Sequence, residues 1–189
     1  MSYDWRQDPF YQKEQIHITW IMIWNGSTET HWWIPEHYRG IEALVDGKFQ
    51  SIDWNNPQHV EEYFHQMREA GIDVIASDLT NGLRWRTQTQ QVQRLCKEYG
   101  MKLCVAINHH GNPEEYEHAA QEIWTAYADP NSELGSAYFY KDGKPLIVDY
   151  CWQNEYEIIR KQDTEYGRRF SHGWASGEKA AKDKWGWQV

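Results

Sequence analysis

The chain has 189 residues, a formal net charge of −9 and an isoelectric point near 5.4. That length supports one domain with a real core, burying roughly 70% of the surface that its unfolded chain exposes. Its basic residues are scattered, Arg84, Arg86, Arg168 and Arg169 forming no long run, which argues against a nucleic-acid surface, and no stretch approaches the ~20 apolar residues of a membrane span.

Residues 1 to 14 are polar and aromatic, an irregular lead-in without the apolar core of a signal peptide. Ile16 to Trp24 is β-branched and apolar and reads as the first strand, ending at Trp24-Asn25-Gly26 before a long loop that carries His31-Trp32-Trp33. Pro35 is placed to open a short helix through Ile41, Leu44 and Val45, and Asp46-Gly47 turns the chain. Asn56-Pro57 is an N-cap followed by proline at the first helical position. Val60, Tyr63, Phe64 and Met67 then fall on one helical face, Gly71 closes the helix, and Ile72 to Asp78 is the second strand. The pattern repeats. Thr87 is placed to cap a helix that faces inward with Val92, Leu95, Cys96 and Tyr99, Gly100 ends it, and Lys102 to Asn108 is the third strand.

Asn112, Pro113 and Glu115 then open a third helix with the spacing of a capping box. Its apolar face is Tyr116, Ala119, Ala120, Ile123, Trp124 and Tyr127. Asp142-Gly143 is a turn between two short apolar segments, and Pro145 to Tyr150 is the fourth strand. Asn154 starts a further helix, and Arg169 to Trp174 is a fifth, weaker strand. The expected fold class is α/β, because strands apolar on both faces and separated by amphipathic helices predict a parallel sheet under a helical layer. About 30 residues separate Ile72 from Leu103, the length of one βαβ unit. Strict alternation of such units predicts a (β/α)8 TIM-type barrel, which needs ~250 residues. With four to five units in residues 1–189, the expectation is a single, partial barrel domain truncated at its C-terminus. The alternative, a doubly wound sheet, is disfavoured because Asn25-Gly26-Ser27-Thr28 does not fit the dinucleotide fingerprint.

In either architecture ligands sit beyond the carboxyl ends of the strands, where Asp78 and Asn108-His109-His110 fall. Twelve tryptophans and twelve tyrosines exceed what a core of this size needs. Many of the indoles, Trp24, Trp32, Trp33, Trp54, Trp85, Trp152, Trp174, Trp185 and Trp187, fall where loops are expected. Flat amphipathic rings around a cleft suit stacking on sugars; for Trp24, Trp152 and Trp174 core packing is an equal alternative. Glycoside hydrolysis needs two carboxylates flanking the scissile bond, and Asp78 and Asp149 are the weak candidates at strand ends. The structural alternatives are that Asp78 caps a loop or bonds a sugar hydroxyl, and that Asp149 pairs with a nearby cation. A metal reading joins Asp78 to His110, but neighbouring histidines on a strand point to opposite faces, so none is assigned. No cofactor is expected. Cys96, Cys104 and Cys151 lack zinc-ligand spacing and read as buried free thiols.

Met67-Arg-Glu-Ala-Gly-Ile-Asp73 leading into Asp78, Tyr99-Gly-Met-Lys-Leu-Cys104, Tyr140-Lys-Asp-Gly-Lys-Pro-Leu146, Gly173-Trp174 and Trp185-Gly-Trp-Gln188 occur in an order that resembles glycoside hydrolase families 99 and 71. Members of that group, the endo-α-mannosidases among them, are (β/α)8 barrels that cut α-linked glycans. The resemblance covers residues 55 to 150 well and the ends loosely. It implies a secreted or periplasmic protein and a glycan partner, with Asp78 and Tyr150, together with Asp149, lining the cleft. The substrate-binding set it leads us to expect is Trp24, Asn25, Asp78, Asn108, His109 and His110, with Tyr150, Trp152, His172 and Trp174. The family's catalytic carboxylates lie in a Glu-Trp-His-Glu-like segment on a later strand, and this chain has none; Glu155, Glu157 and Glu165 lie on or after a predicted helix. Three functional readings follow: the N-terminal part of a glycoside hydrolase without its catalytic Glu pair, a non-catalytic carbohydrate-binding protein, or a metal-dependent hydrolase using Asp78 and His110.

Overall fold

A computed structural model describes residues 2–21, 42–45, 47–53, 56–80, 86–109, 111–161, 163–176 and 185–186. Among them six parallel strands form one sheet: β1 (Ile18–Ile21), β4 (Val74–Asp78), β5 (Lys102–Ile107), β7 (Lys144–Tyr150), β8 (Ser171–Ser176) and β9 (Trp185–Gly186). Each lies beside its successor in the chain, so the order never reverses. The connections carry α1 (Pro57–Glu69), α2 (Arg86–Glu98), α3 (Pro113–Ile123) and α4 (Gln153–Ile159). Two antiparallel hairpins lie among the described residues as well: β2 (Glu42–Val45) with β3 (Lys48–Ser51), and β6 (Tyr140–Lys141) with β7. This is an α/β fold built on a parallel sheet, and among the described residues the sheet is open at β1 and β9.

Local sequence explains most of these elements. Asn56 accepts from the Gln58 N–H at 3.1 Å and Asn112 from the Glu114 N–H at 3.0 Å, each ahead of a proline that needs no intrahelical donor. All five residues of β4 and all six of β5 are buried, as befits strands covered on both sides. Asp142 and Gly143 both have positive φ, +53° and +83°, which makes the β6–β7 connection a two-residue mirror-image turn.

Register then divides the sheet into two faces. Ile21, Ser77, Val105, Ile147 and His172 lie side by side across five strands and point one way. This is the helix-covered face: the Ser77 hydroxyl is 3.4 Å from that of Thr89 on α2, and His172 meets Tyr116 of α3. Asp78, Ala106, Val148 and Gly173 form the adjacent row and point the other way, as does Trp20. On that side the rings of Trp20 and Tyr150 come within 6.4 Å of each other. Their strands are three spacings apart, about 14 Å in a flat sheet. The sheet therefore curls toward this face, which is concave.

The amino ends of the strands are closed from below by the lead-in, which is ordered into two 3-10 turns, Trp5–Gln7 and Pro9–Gln12, rather than irregular. Lys102, buried at the start of β5, pairs with Asp8, donates to the Ser136 carbonyl at 2.7 Å and sits over the rings of Tyr3 and Phe10. Asp73 accepts from the His17 N–H at 3.0 Å and pairs with Lys13 and Arg68.

The structure corrects several sequence expectations. Leu44 and Val45 belong to a strand, not a helix. Their apolar pair fits either period, and the deciding contact is Gln66 of α1, which accepts from the Leu44 N–H at 3.1 Å and donates to its carbonyl at 2.7 Å as a neighbouring strand would. Thr87 lies inside α2 rather than at its cap, and the N-cap of α4 is Trp152, with Asn154 already in the helix. The parallel sheet has a sixth strand, and Trp174 and Trp185 stand in strands rather than loops. Among the described residues no helix is long and apolar enough to cross a membrane.

Candidate functional site

The concave face ends, at the carboxyl edge of the sheet, in a cluster of Trp20, Asp78, Thr80 and Tyr150. Trp20 is half-buried on β1 and reaches up past Ala76, its neighbour in register, to donate its indole N–H to Asp78 Oδ2 at 3.0 Å. The other carboxylate oxygen accepts from the Thr80 backbone N–H at 2.9 Å and from its hydroxyl at 2.6 Å. Asp78 is only 4% exposed, and its carboxylate holds three donors. Tyr150, 36% exposed at the end of β7, meets the Trp20 ring edge-on at 68°. The Asp78 row continues through Ala106 and Val148 to Gly173, all of them buried. Asn108, half-buried, follows directly on β5.

Asp149 lies elsewhere. It pairs in register with Ile107, one residue beyond the Asp78 row, and so points to the helix-covered side. There it is fully buried, with Oδ2 2.9 Å from His172 Nδ1 and Oδ1 3.4 Å from His109 Nε2. The Gly111 N–H donates to His109 Nδ1 at 3.1 Å, so the proton of a neutral His109 ring sits on Nε2 and faces Asp149. At 3.4 Å neither His109 Nε2 nor Asp149 Oδ1 gains a hydrogen bond among the described residues. Tyr116 closes the group: its hydroxyl is 3.3 Å from His172 Nε2, and its ring meets that of His109 edge-on. Burial first, and then the Asp149 charge, hold the Tyr116 phenol well above its ordinary pKa. This network ties α3 to β7 and β8 on the helix-covered side of the sheet. Asp78 and Asp149 do not flank one bond, and the candidate catalytic pair is not brought together.

The other candidates divide in the same way. His109 and His172 belong to the buried network rather than to the Asp78 cluster. Trp152, 61% exposed, stands two residues beyond Tyr150 on the same rim. Trp24, Asn25 and His110 lie outside the described residues, as does the side chain of Trp174, whose backbone is in β8. Glu155 accepts from the Trp152 N–H at 2.7 Å as a helix cap, while Glu157 and Glu165 pair with Arg160 and Arg169. Among the described residues no group of three or more His, Cys, Asp or Glu side chains is arranged to hold a metal ion. All three cysteines are buried thiols outside any disulfide; burial pushes the Cys104 and Cys151 thiols up to about 12.

Trp20, Thr80 and Tyr116 are the site residues that sequence reasoning missed. For Trp20 there was a signal: an indole in mid-strand needs a partner for its N–H, and strand alternation places it on one face with the carboxyl-end residues of β4. Comparison with family models finds no match for this chain, and comparison with curated proteins finds none either. The fold and the cluster therefore define a class, an α/β protein on a parallel sheet with an aromatic and carboxylate cluster at its carboxyl edge.

Proposed function

We propose that this chain is an arc of a (β/α)8-type barrel, the N-terminal part of a glycoside hydrolase whose concave face binds a glycan. The strand order supports the barrel: doubly wound sheets reverse direction at a switch point, whereas these six strands run in sequence, with α2 and α3 on one face. The observation that carries the function is the Trp20–Asp78–Tyr150 cluster at the carboxyl edge, two aromatic rings and a carboxylate of the kind that cradles a sugar. Both strand-end carboxylates are engaged by protein donors, and the Glu-Trp-His-Glu-like segment is missing, so the chain's part is binding and orientation rather than bond cleavage.

Titration with a panel of neutral oligosaccharides, α-linked mannosides among them, tests this by tryptophan fluorescence and calorimetry. Saturable binding that quenches tryptophan emission, weakened roughly tenfold by Trp20→Ala, is expected, with no release of reducing ends. A panel without a single binder overturns the glycan reading. Release of reducing ends by the purified chain overturns the assignment of binding without cleavage.

A further inference from the structure

Buried polar atoms almost always find a partner, yet His109 Nε2 and Asp149 Oδ1 face each other at 3.4 Å without a hydrogen bond among the described residues. The same carboxylate, through Oδ2, is 2.9 Å from His172 Nδ1. It is thus divided unequally between two imidazoles, and the two rings differ in what they can do with a proton. His109 Nδ1 accepts from the Gly111 N–H, so a proton added there would set two N–H groups against each other. His172 has no such block. Its Nδ1 donates to Asp149, while Nε2 lies 3.3 Å from the Tyr116 hydroxyl, which can donate to a bare nitrogen or accept from a protonated one. The His172 side chain also keeps 15% of its surface exposed, a path by which solvent protons reach it. Its neighbours keep their charge over the range in which imidazoles exchange protons, about pH 5 to 8. Burial holds the phenols of Tyr116 on α3 and Tyr156 on α4, and the Cys151 thiol after β7, above their ordinary values and so uncharged. Burial also raises the Glu117 carboxyl beside Tyr116, but Thr164 and the Tyr166 and Gly167 N–H groups outweigh it and keep it charged. Glu157 and Arg160 of α4 pair with each other.

We infer that this network is a proton-operated switch on the loop after β5: His172 takes up and releases the proton, His109 stays neutral, and the charge on His172 decides how the Asp149 carboxylate is divided between them. Charged, His172 holds the carboxylate as an ion pair, the arrangement of the 2.9 Å contact, and leaves the His109 N–H short of a bond. Neutral, it pulls less, and the carboxylate closes on the His109 N–H. His109 carries that change outward. Its ring accepts from the Gly111 N–H, and its carbonyl accepts at 2.8 Å from the N–H of Asn112, the N-cap of α3. Asn108, at the carboxyl edge, directly precedes it. The switch requires no glycan and goes beyond the binding role proposed above.

NMR of the imidazole nitrogens across about pH 5 to 8 tests it, with His109→Gln and His172→Gln to assign the two rings. The His172 nitrogens are expected to pass through a titration, while those of His109 keep the pattern of the Nε2–H tautomer throughout. As His172 loses its proton, the His109 Nε2 proton is expected to move downfield, as a donor gaining a hydrogen bond does. The backbone amides of Gly111 and Asn112 are expected to shift by more than a linewidth with the same midpoint. In His172→Gln both movements are expected to vanish. In His118→Gln, on the exposed face of α3, they are expected to persist. A titrating His109, a His172 that keeps one protonation state across the range, or loop amides that still shift in His172→Gln each overturn the switch. So does a loss of the amide shifts in His118→Gln, which would assign the proton to the helix surface. Should His172→Gln not fold, the wild-type curves decide: a His109 proton that ignores the His172 midpoint overturns the coupling, and one that follows it supports it.

Discussion

Asp78 and Asp149 illustrate how much one residue of register decides. Both are aspartates at the ends of β-strands in the same parallel sheet. Ala106 stands beside one and Ile107 beside the other, so their side chains leave opposite faces. Asp78 reaches the concave edge, whereas Asp149 is sealed under α3 between two histidines. Replacing Asp149 by Ala leaves His172, whose side chain is 15% exposed, without its 2.9 Å partner in a dry setting. We expect a loss of roughly 3 kcal/mol, the cost of breaking a buried polar pair, read by urea denaturation at neutral pH. An unchanged midpoint joined to a lost function would point instead to a chemical role for Asp149.

The elements show where local sequence suffices and where it does not. Asn112-Pro113 and Asp142-Gly143 encode their structures within a few residues, because caps and mirror-image turns depend on local backbone chemistry. Gly135 is different. No φ requirement marks it, yet a Cβ built there would lie 2.1 Å from the Asp129 carbonyl oxygen and 2.9 Å from Pro130, both backbone atoms that cannot swing aside. Gly135→Ala is therefore expected to cost more than about 2 kcal/mol. Gly143→Ala, whose added methyl meets only Trp5 Cζ2 at an ordinary 3.6 Å but sits at a positive φ, is expected to cost about 1 kcal/mol. A denaturation midpoint for each variant checks the ranking, and equal effects would contradict it. Leu44 and Val45, expected at the end of a short helix, form strand β2 for a related reason: its anchor, Gln66, lies on another element.

At the scale of the whole molecule, two carboxylates fasten the lead-in to the amino ends of the strands. Burial pushes the Asp73 carboxyl up, but the His17 N–H, Lys13 and Arg68 outweigh it and hold it below the usual range. Burial likewise opposes Asp8, where Lys102, Tyr3 and the Phe10 N–H prevail. A carboxyl whose pKa is lower folded than unfolded binds fewer protons in the native state. Its stabilisation is complete above the unfolded value, near 4, and is lost as pH falls through the folded one. Stability from these two groups should thus be level from neutrality to about pH 5 and drop below about pH 4. Asp73→Asn should be less stable at neutral pH and show a shallower acid limb, measured by urea denaturation across that range. A limb as steep as wild type would mean that other groups govern acid unfolding.

Alternation of strand and helix, the Asn56 and Asn112 caps, the Asp-Gly turn and the parallel α/β class were legible in the sequence. Each depends on hydrophobic period or backbone chemistry over a few residues. The curl of the sheet, the pairing of Trp20 with Asp78, and the burial of Asp149 between His109 and His172 were not. They join residues 58, 40 and 23 positions apart, and their geometry depends on strand register and on which face α3 covers, which only the packed chain decides.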